Sequence, residues 1–307
     1  MENEDVISAA RQQRVFRARN KLDQPGLYSH ITQRAAGKEP LFLEDNDYLS
    51  MLGIFKKKAE KYRLNFIALS LMPNHTHILI KPSEKNLYPA MQDIFSNYAS
   101  WFNRKYQRKG HLFGGPYRQA VCLDSAYLLA ASIYIHLNPV RAGLTDRASD
   151  YRWSSCALYC RTDAPESFVD PVPILEMLDK DLNEARSQYR NLLRQGSQTS
   201  QGHVLEYSGA VERFCIKMAE IFPAIFKRLG RIKLIDSADN KHQAALPELD
   251  SMIQKFESMK STRNPQTKKA RRYIVEQLLA RGFTRQQIAS HLNIGRKTVY
   301  NILNSDS

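Results

Sequence analysis

Apolar and polar residues alternate along "GLYSHITQR" (Gly26 to Arg34), a stretch rich in β-formers that reads as a half-buried strand. In "DNDYLSMLGIFKKKAEKYRLN" the apolar positions recur at helical spacing, between an Asx start and a basic end. "FIALSLM" reads as a second strand, Pro73-Asn74 turns the chain, and "HTHILIKP" reads as a third. An amphipathic helix follows from roughly Leu87 to Tyr106, and "YRQAVCL" (Tyr117 to Leu123) is a fourth strand. Asp124-Ser125 then cap a helix that Pro139 is expected to stop. The order β-α-β-β-α-β plus a helix predicts a ferredoxin-like α+β fold, an antiparallel sheet with helices.

Beyond Thr162 the pattern changes. "DAPESFVDPVP" is an acidic, proline-bearing connector. "PILEMLDKDLNEARSQYRNLL" and "GAVERFCIKMAEIFPAIFKRLG" are helical, separated by a flexible "RQGSQTSQGH". The tail "TKKARRYIVEQLLARGFTRQQIASHLNIGRKTVYNILN" holds three short helices with an Asn-x-Gly turn, the helix-turn-helix pattern. Three parts are expected: 1–162 as an α+β domain, 163–262 as a helical connector, and 263–307 as the helix-turn-helix.

Charge narrows the partners. Forty-five Lys and Arg stand against 31 Asp and Glu in 307 residues, a formal net charge of +14. Such a surplus favours a polyanion, nucleic acid or an acidic membrane surface, over a neutral ligand. No apolar run approaches membrane-spanning length, and the opening "MENEDVISAARQQR" lacks the character of a signal peptide, so no membrane association is expected. Cys122, Cys156, Cys160 and Cys215 form no CxxC pair, which reads as reduced cysteines in a cytoplasmic, nucleoid-associated protein.

Candidate chemistry begins at "LMPNHTHILIKP". Side chains alternate on a strand, so His75 and His77 share a face and make a two-point ligand set for a divalent ion. Two histidines hydrogen-bonded at a strand edge are the plainer alternative. In "DSAYLLAASIYIHLNPVRAG", Tyr127, Ala130, Tyr134 and Asn138 fall on one helical stripe. Asn138 offers an amide oxygen one turn from the Tyr134 phenol, although Asn-Pro also reads as a simple helix stop. Tyr127 and Tyr117 are rival nucleophiles by phase and position. His136 faces away from the stripe and reads as structural, and His30 as an outer partner or DNA contact.

Together, "PNHTHILIKP", "YIHLNPVRAGL" and "DYRWSS" resemble the REP-associated tyrosine transposases, which belong to the HUH single-strand DNA transposases. The resemblance covers about half the chain, with Thr76 where an apolar residue is usual between the histidines. It implies a metal-dependent single-strand DNA endonuclease and strand transferase acting near hairpins through a 5′-phosphotyrosine intermediate. Tyr134 would be the nucleophile, His75, His77 and Asn138 the metal ligands, and Mg2+ or Mn2+ the ion. The resemblance leaves monomer or homodimer open.

Single-stranded DNA requires cations and aromatic platforms. Arg34, Lys38, Arg104, Lys105, Arg108, Lys109 and Arg118 supply the cations near aromatic residues. On the last helix, Arg296, Lys297, Thr298, Tyr300 and Asn301 are candidates for duplex contact. A regulator that binds DNA without cutting it, and a metal-dependent hydrolase that uses water, are the competing functions.

Overall fold

A computed structural model describes residues 15–16, 21–37, 39–199, 210–232, 234, 254, 256–259, 265–280 and 285–304. Five strands are described: β1 (Val15–Phe16), β2 (Ser29–Arg34), β3 (Leu64–Met72), β4 (His75–Pro82) and β5 (Arg118–Val121). They form one sheet in the order β1-β5-β2-β4-β3, antiparallel throughout. Without the short edge strand β1, this is the ferredoxin-like arrangement that the element order predicts.

Each face of the sheet has its own cover. Helices α1 (Asp45–Tyr62) and α2 (Leu87–Lys105) bury Phe55, Ile94 and Tyr98 with Ile31, Phe66, Leu71, Ile78 and Ile80. Helix α3 (Ser125–Arg141) covers the other face, where Leu79 and Ala68 belong to its core. Asp124 caps α3 as expected, its carboxylate accepting from the Tyr127 amide at 2.9 Å. Arg63 ends α1 in the left-handed region at φ 48°, its amide closing on the carbonyls of Ala59 and Glu60.

Pro139 does not stop α3. The helix runs on to Arg141, with Ala142 donating to the Asn138 carbonyl at 2.9 Å and Leu144 to the Pro139 carbonyl at 2.9 Å. Proline this close to the end deletes a single helical N–H, and the following turn re-forms around it.

The motif "DYRWSS" fastens the outer strand. Trp153 accepts from the Leu71 amide at 2.9 Å, Tyr151 donates to the Leu71 carbonyl at 2.8 Å, and Ser155 bonds the Leu69 amide at 2.9 Å. A short helix α4 (Cys156–Cys160) follows, and Tyr159 donates to the Ile67 carbonyl at 2.6 Å beside an irregularity in the β3 ladder.

The chain divides into two units, 1–234 and 235–307. Of the 163–262 stretch expected from sequence to be a helical connector, residues up to 234 fall in the first unit and the rest in the second. Helices α5 (Val172–Leu175), α6 (Leu182–Gln198), α7 (Ala210–Ile221) and α8 (Pro223–Gly230) join Tyr189, Leu192, Phe214, Met218 and Phe226 to the α3 core. Two segments that read as continuous helices are broken. Asp179 and Asp181 start α6 afresh, and Pro223 restarts the helix after Phe222. Conversely, α6 continues through the start of "RQGSQTSQGH" to Gln198; residues 200–203 lie outside the described residues. With the sheet on one side and these helices on the other, every residue of α3 from Ser125 to Pro139 is buried.

In the second unit, α9 (Pro265–Ala280), α10 (Arg285–His291) and α11 (Arg296–Asn304) close on Ile274, Val275, Leu278, Ile288, Val299 and Leu303. Asn293 takes φ 49° in the turn between α10 and α11, and Ile294 donates to the Ala289 carbonyl at 3.0 Å. Among the described residues, no helix is long and apolar enough to cross a membrane.

Candidate active site

Strand register assembles one side of the site. Arg118, Thr32, His77 and Ser70 form a row across β5, β2, β4 and β3, and the next row holds Arg34, His75 and Met72. Paired residues share a face, and Leu79, two residues beyond His77, lies in the α3 core. Both histidines thus point toward α3.

The histidine rings lie 4.8 Å apart, centroid to centroid. His75 Nδ1 is 2.7 Å from Asn74 Oδ1, which makes that nitrogen the N–H donor and leaves the lone pair on Nε2. His77 Nδ1 lies 3.0 Å from His30 Nε2 and 3.3 Å from Thr32 Oγ1, while His77 Nε2 is buried without a hydrogen-bond partner. Burial, reinforced by the Arg34 charge, lowers His75 to about 4, and burial alone lowers His30 to about 4. Burial, then His75 and His30, hold His77 well below the usual imidazole value. All three rings are therefore neutral near pH 7, the form that can donate lone pairs.

Tyr134 closes the site from α3. Its ring centroid is 6.0 Å from that of His77 and 6.2 Å from that of His30. Burial pushes its phenol up to about 12, against the opposing pull of Arg141 and Arg213. Asn138, one turn on, donates from Nδ2 to the Tyr134 carbonyl at 3.0 Å. That bond fixes the amide and frees its oxygen to face elsewhere. Of the rival tyrosines, Tyr127 is buried near Cys122, Cys215 and Glu212, and Tyr117 packs in the core of the opposite sheet face.

Among the described residues, no three His, Cys, Asp or Glu are grouped to hold a metal ion. The fit for a divalent ion rests instead on two neutral imidazoles on one sheet face, one with an orphaned buried nitrogen; the Asn138 amide oxygen, on the facing helix, is the candidate third donor. This is a mixed nitrogen and oxygen donor set that carries no charge of its own.

His136 serves the scaffold, as its position off the stripe suggests. Its Nδ1 lies 2.8 Å from the Tyr189 hydroxyl and its Nε2 2.8 Å from that of Ser155. Tyr189 in turn donates to Ser132 at 3.2 Å. This buried chain ties α3 to α6 and to the segment that clasps β3.

The candidate DNA contacts differ in standing. Arg34 and Arg118 border the histidine rows, while Arg104 is exposed in the last turn of α2 and Lys109 beyond its end. Lys105 is engaged by Glu44 and the buried Asp47, and Arg108 by Glu39, so both act first as structural ties. Lys38 lies outside the described residues. Arg296, Lys297, Thr298, Tyr300 and Asn301 are all exposed on α11. Two partners of the site carry no sequence signal of their own: Asn74, which precedes His75, and Thr32, which only the β2 register places beside His77.

Residues 24–138 match the family model described as "Transposase IS200 like". Comparison with curated proteins finds no match. A solved structure described as "Structure of the REP associates tyrosine transposase bound to a REP hairpin" is similar at 14% identity with a TM-score of 0.41, covering 49% of this chain and 92% of that one.

Proposed function

Taking residues 24–138 as what they match, an IS200-like transposase domain, we propose that the chain cuts and rejoins one strand of DNA with Tyr134 as nucleophile. The supporting observation is the Tyr134 ring 6.0 Å from that of His77, whose Nε2 is buried and unpartnered. The Tyr134 oxygen attacks a backbone phosphorus in line. The Oη–P bond forms as the P–O3′ bond breaks, and the phenol proton is released to water. The electron pair leaves with O3′, and that oxygen takes a proton from water to become a free 3′-OH, so no net proton is gained or lost. Ester energy is conserved in the 5′-phosphotyrosine link, so a second 3′-OH can reverse the step without ATP.

Burial makes the phenol a poor nucleophile until it loses its proton, and the same burial shields the intermediate from water. His75, His77 and Asn138 are the residues proposed to hold Mg2+ or Mn2+. When bound, such an ion draws charge from a phosphate oxygen and makes the phosphorus more electrophilic. His30, Thr32 and Asn74 orient the two imidazoles. Arg34 and Arg118 would lead the strand in, with a DNA hairpin as the proposed neighbouring feature, and the exposed face of α11 would dock in a duplex major groove.

Covalent capture tests this reading. The protein is incubated with Mg2+ or Mn2+ and a pool of random single-stranded oligonucleotides, and captured ends are sequenced. Wild type should form a denaturation-resistant adduct that EDTA prevents and Tyr134→Phe abolishes while strand binding persists. Cutting by Tyr134→Phe would point to a water-using hydrolase, and binding without any adduct to a regulator.

A further inference from the structure

Arg141 is the last residue of α3, two turns beyond Tyr134 on the same stripe and three residues past the family-matched segment. Helical side chains lean toward the N-terminus, which brings its guanidinium back over the tyrosine. The guanidinium carbon lies 5.5 Å from the Tyr134 ring centroid and 4.5 Å from that of Phe214 on α7. Only Nη2 is engaged, at 3.5 Å from the Gly196 carbonyl and 3.4 Å from the Thr199 hydroxyl. Nε and Nη1 are buried without a hydrogen-bond partner, and among the described residues no carboxylate pairs with this side chain.

A buried guanidinium with N–H groups unspent is costly, and folded chains keep one where an anion completes it. The surroundings are built to hold it there. The guanidinium carbon sits over the Phe214 ring, and Gly196 lets α6 come close; a Cβ at that position would sit 3.0 Å from Leu137 Cδ1 and 3.3 Å from Phe214 Cζ. The neighbouring imidazoles and amide carry no charge to answer it.

We propose that Arg141 is a catalytic residue that binds a non-bridging oxygen of the scissile phosphodiester through its unpartnered Nε and Nη1. The proposal rests on Tyr134 being the nucleophile. As Oη bonds to phosphorus and O3′ departs, negative charge gathers on the non-bridging oxygens, and the planar fork of arginine matches them. In the reverse step Tyr134 leaves as a phenolate beneath the same cation. The α6 and α7 helices, beyond the matched segment, thereby acquire a role: they clamp the guanidinium.

The test compares two linkages in one captured strand, resynthesised with either its natural phosphodiester or an uncharged methylphosphonate at the cut site. On the natural linkage, Arg141→Gln should slow adduct formation by on the order of 100-fold, with strand affinity little changed and Arg141→Lys recovering part of the rate. On the methylphosphonate, wild type and Arg141→Gln should differ by only a few-fold, because the charge that Arg141 answers is gone. Equal losses on both linkages would reduce Arg141 to packing and overturn the proposal, as would an unchanged rate on the natural one. Should Arg141→Gln fail to fold, the ratio between linkages in Arg141→Lys decides by the same criterion. Absence of any Tyr134 adduct with wild type would instead bring down the nucleophile itself, and this inference with it.

Discussion

His30 Nε2 stands 3.0 Å from His77 Nδ1, linking two strands whose residues are 47 apart in sequence. With its Nδ1 so occupied, Nε2 is the His77 nitrogen left for the proposed metal. His30→Ala should therefore weaken Mn2+ binding by about 10- to 100-fold while far-UV circular dichroism stays unchanged. Electron paramagnetic resonance titration of free Mn2+ measures it, and an unaltered affinity would show that His30 has no part in orienting the ligand.

Acid should unfold the first unit by a defined route. His30 and His75 titrate near 4 and His136 near 3 in the folded state, against an ordinary value of 6.5. Between those values the unfolded chain binds protons that the folded chain refuses. Stability is thus intact above about pH 6.5 and is lost as pH falls toward 4. Urea midpoints should hold from pH 7.5 to about 6.5 and then drop steadily down to pH 4.5, with uptake of more than two protons per molecule on unfolding there.

Removing the Tyr189 hydroxyl strands the buried His136 Nδ1, while Ser132 keeps its bond to the Leu129 carbonyl. Tyr189→Phe should cost about 1–3 kcal/mol of stability, read as a lower urea midpoint at unchanged slope. A loss below about 0.5 kcal/mol, the scale of neutral surface changes, would mean that the buried chain of hydroxyls contributes little.

Arg296 and Lys297 are exposed at the start of α11. If that helix enters duplex DNA, replacing either with Ala should lower the slope of log affinity against log salt by about one. Fluorescence anisotropy with a random-sequence duplex checks it. Slopes identical to wild type would favour a protein-binding surface.

Much of the site is legible in the sequence alone. The period of two puts His75 and His77 on one face, and the helical period puts Tyr134 and Asn138 on one stripe; the Tyr134 ring lies 6.0 Å from that of His77. What the spacing hides depends on contacts between distant segments. Thr32 reaches His77 only through strand register, and nothing in the position of Arg141 announces Phe214 as its partner. The expected connector differs from the observed first unit for the same reason. An amphipathic helix declares that it has an apolar face but not what covers it, so nothing in α6 and α7 tells that they lie on the tyrosine helix. Asn138-Pro139 reads as a stop because proline's lost N–H weighs heavily mid-helix, yet it weighs little in a final turn.

The complete enclosure of α3 has a practical side. Anyone wishing to whittle this protein down to a minimal strand-joining tool would be tempted to cut after 162, where the recognisable motifs end. Such a trim would bare a greasy flank around Leu137 and Tyr134, the proposed nucleophile, inviting clumping in the expression host and water at the proposed ester. The smallest useful reagent extends to about residue 234.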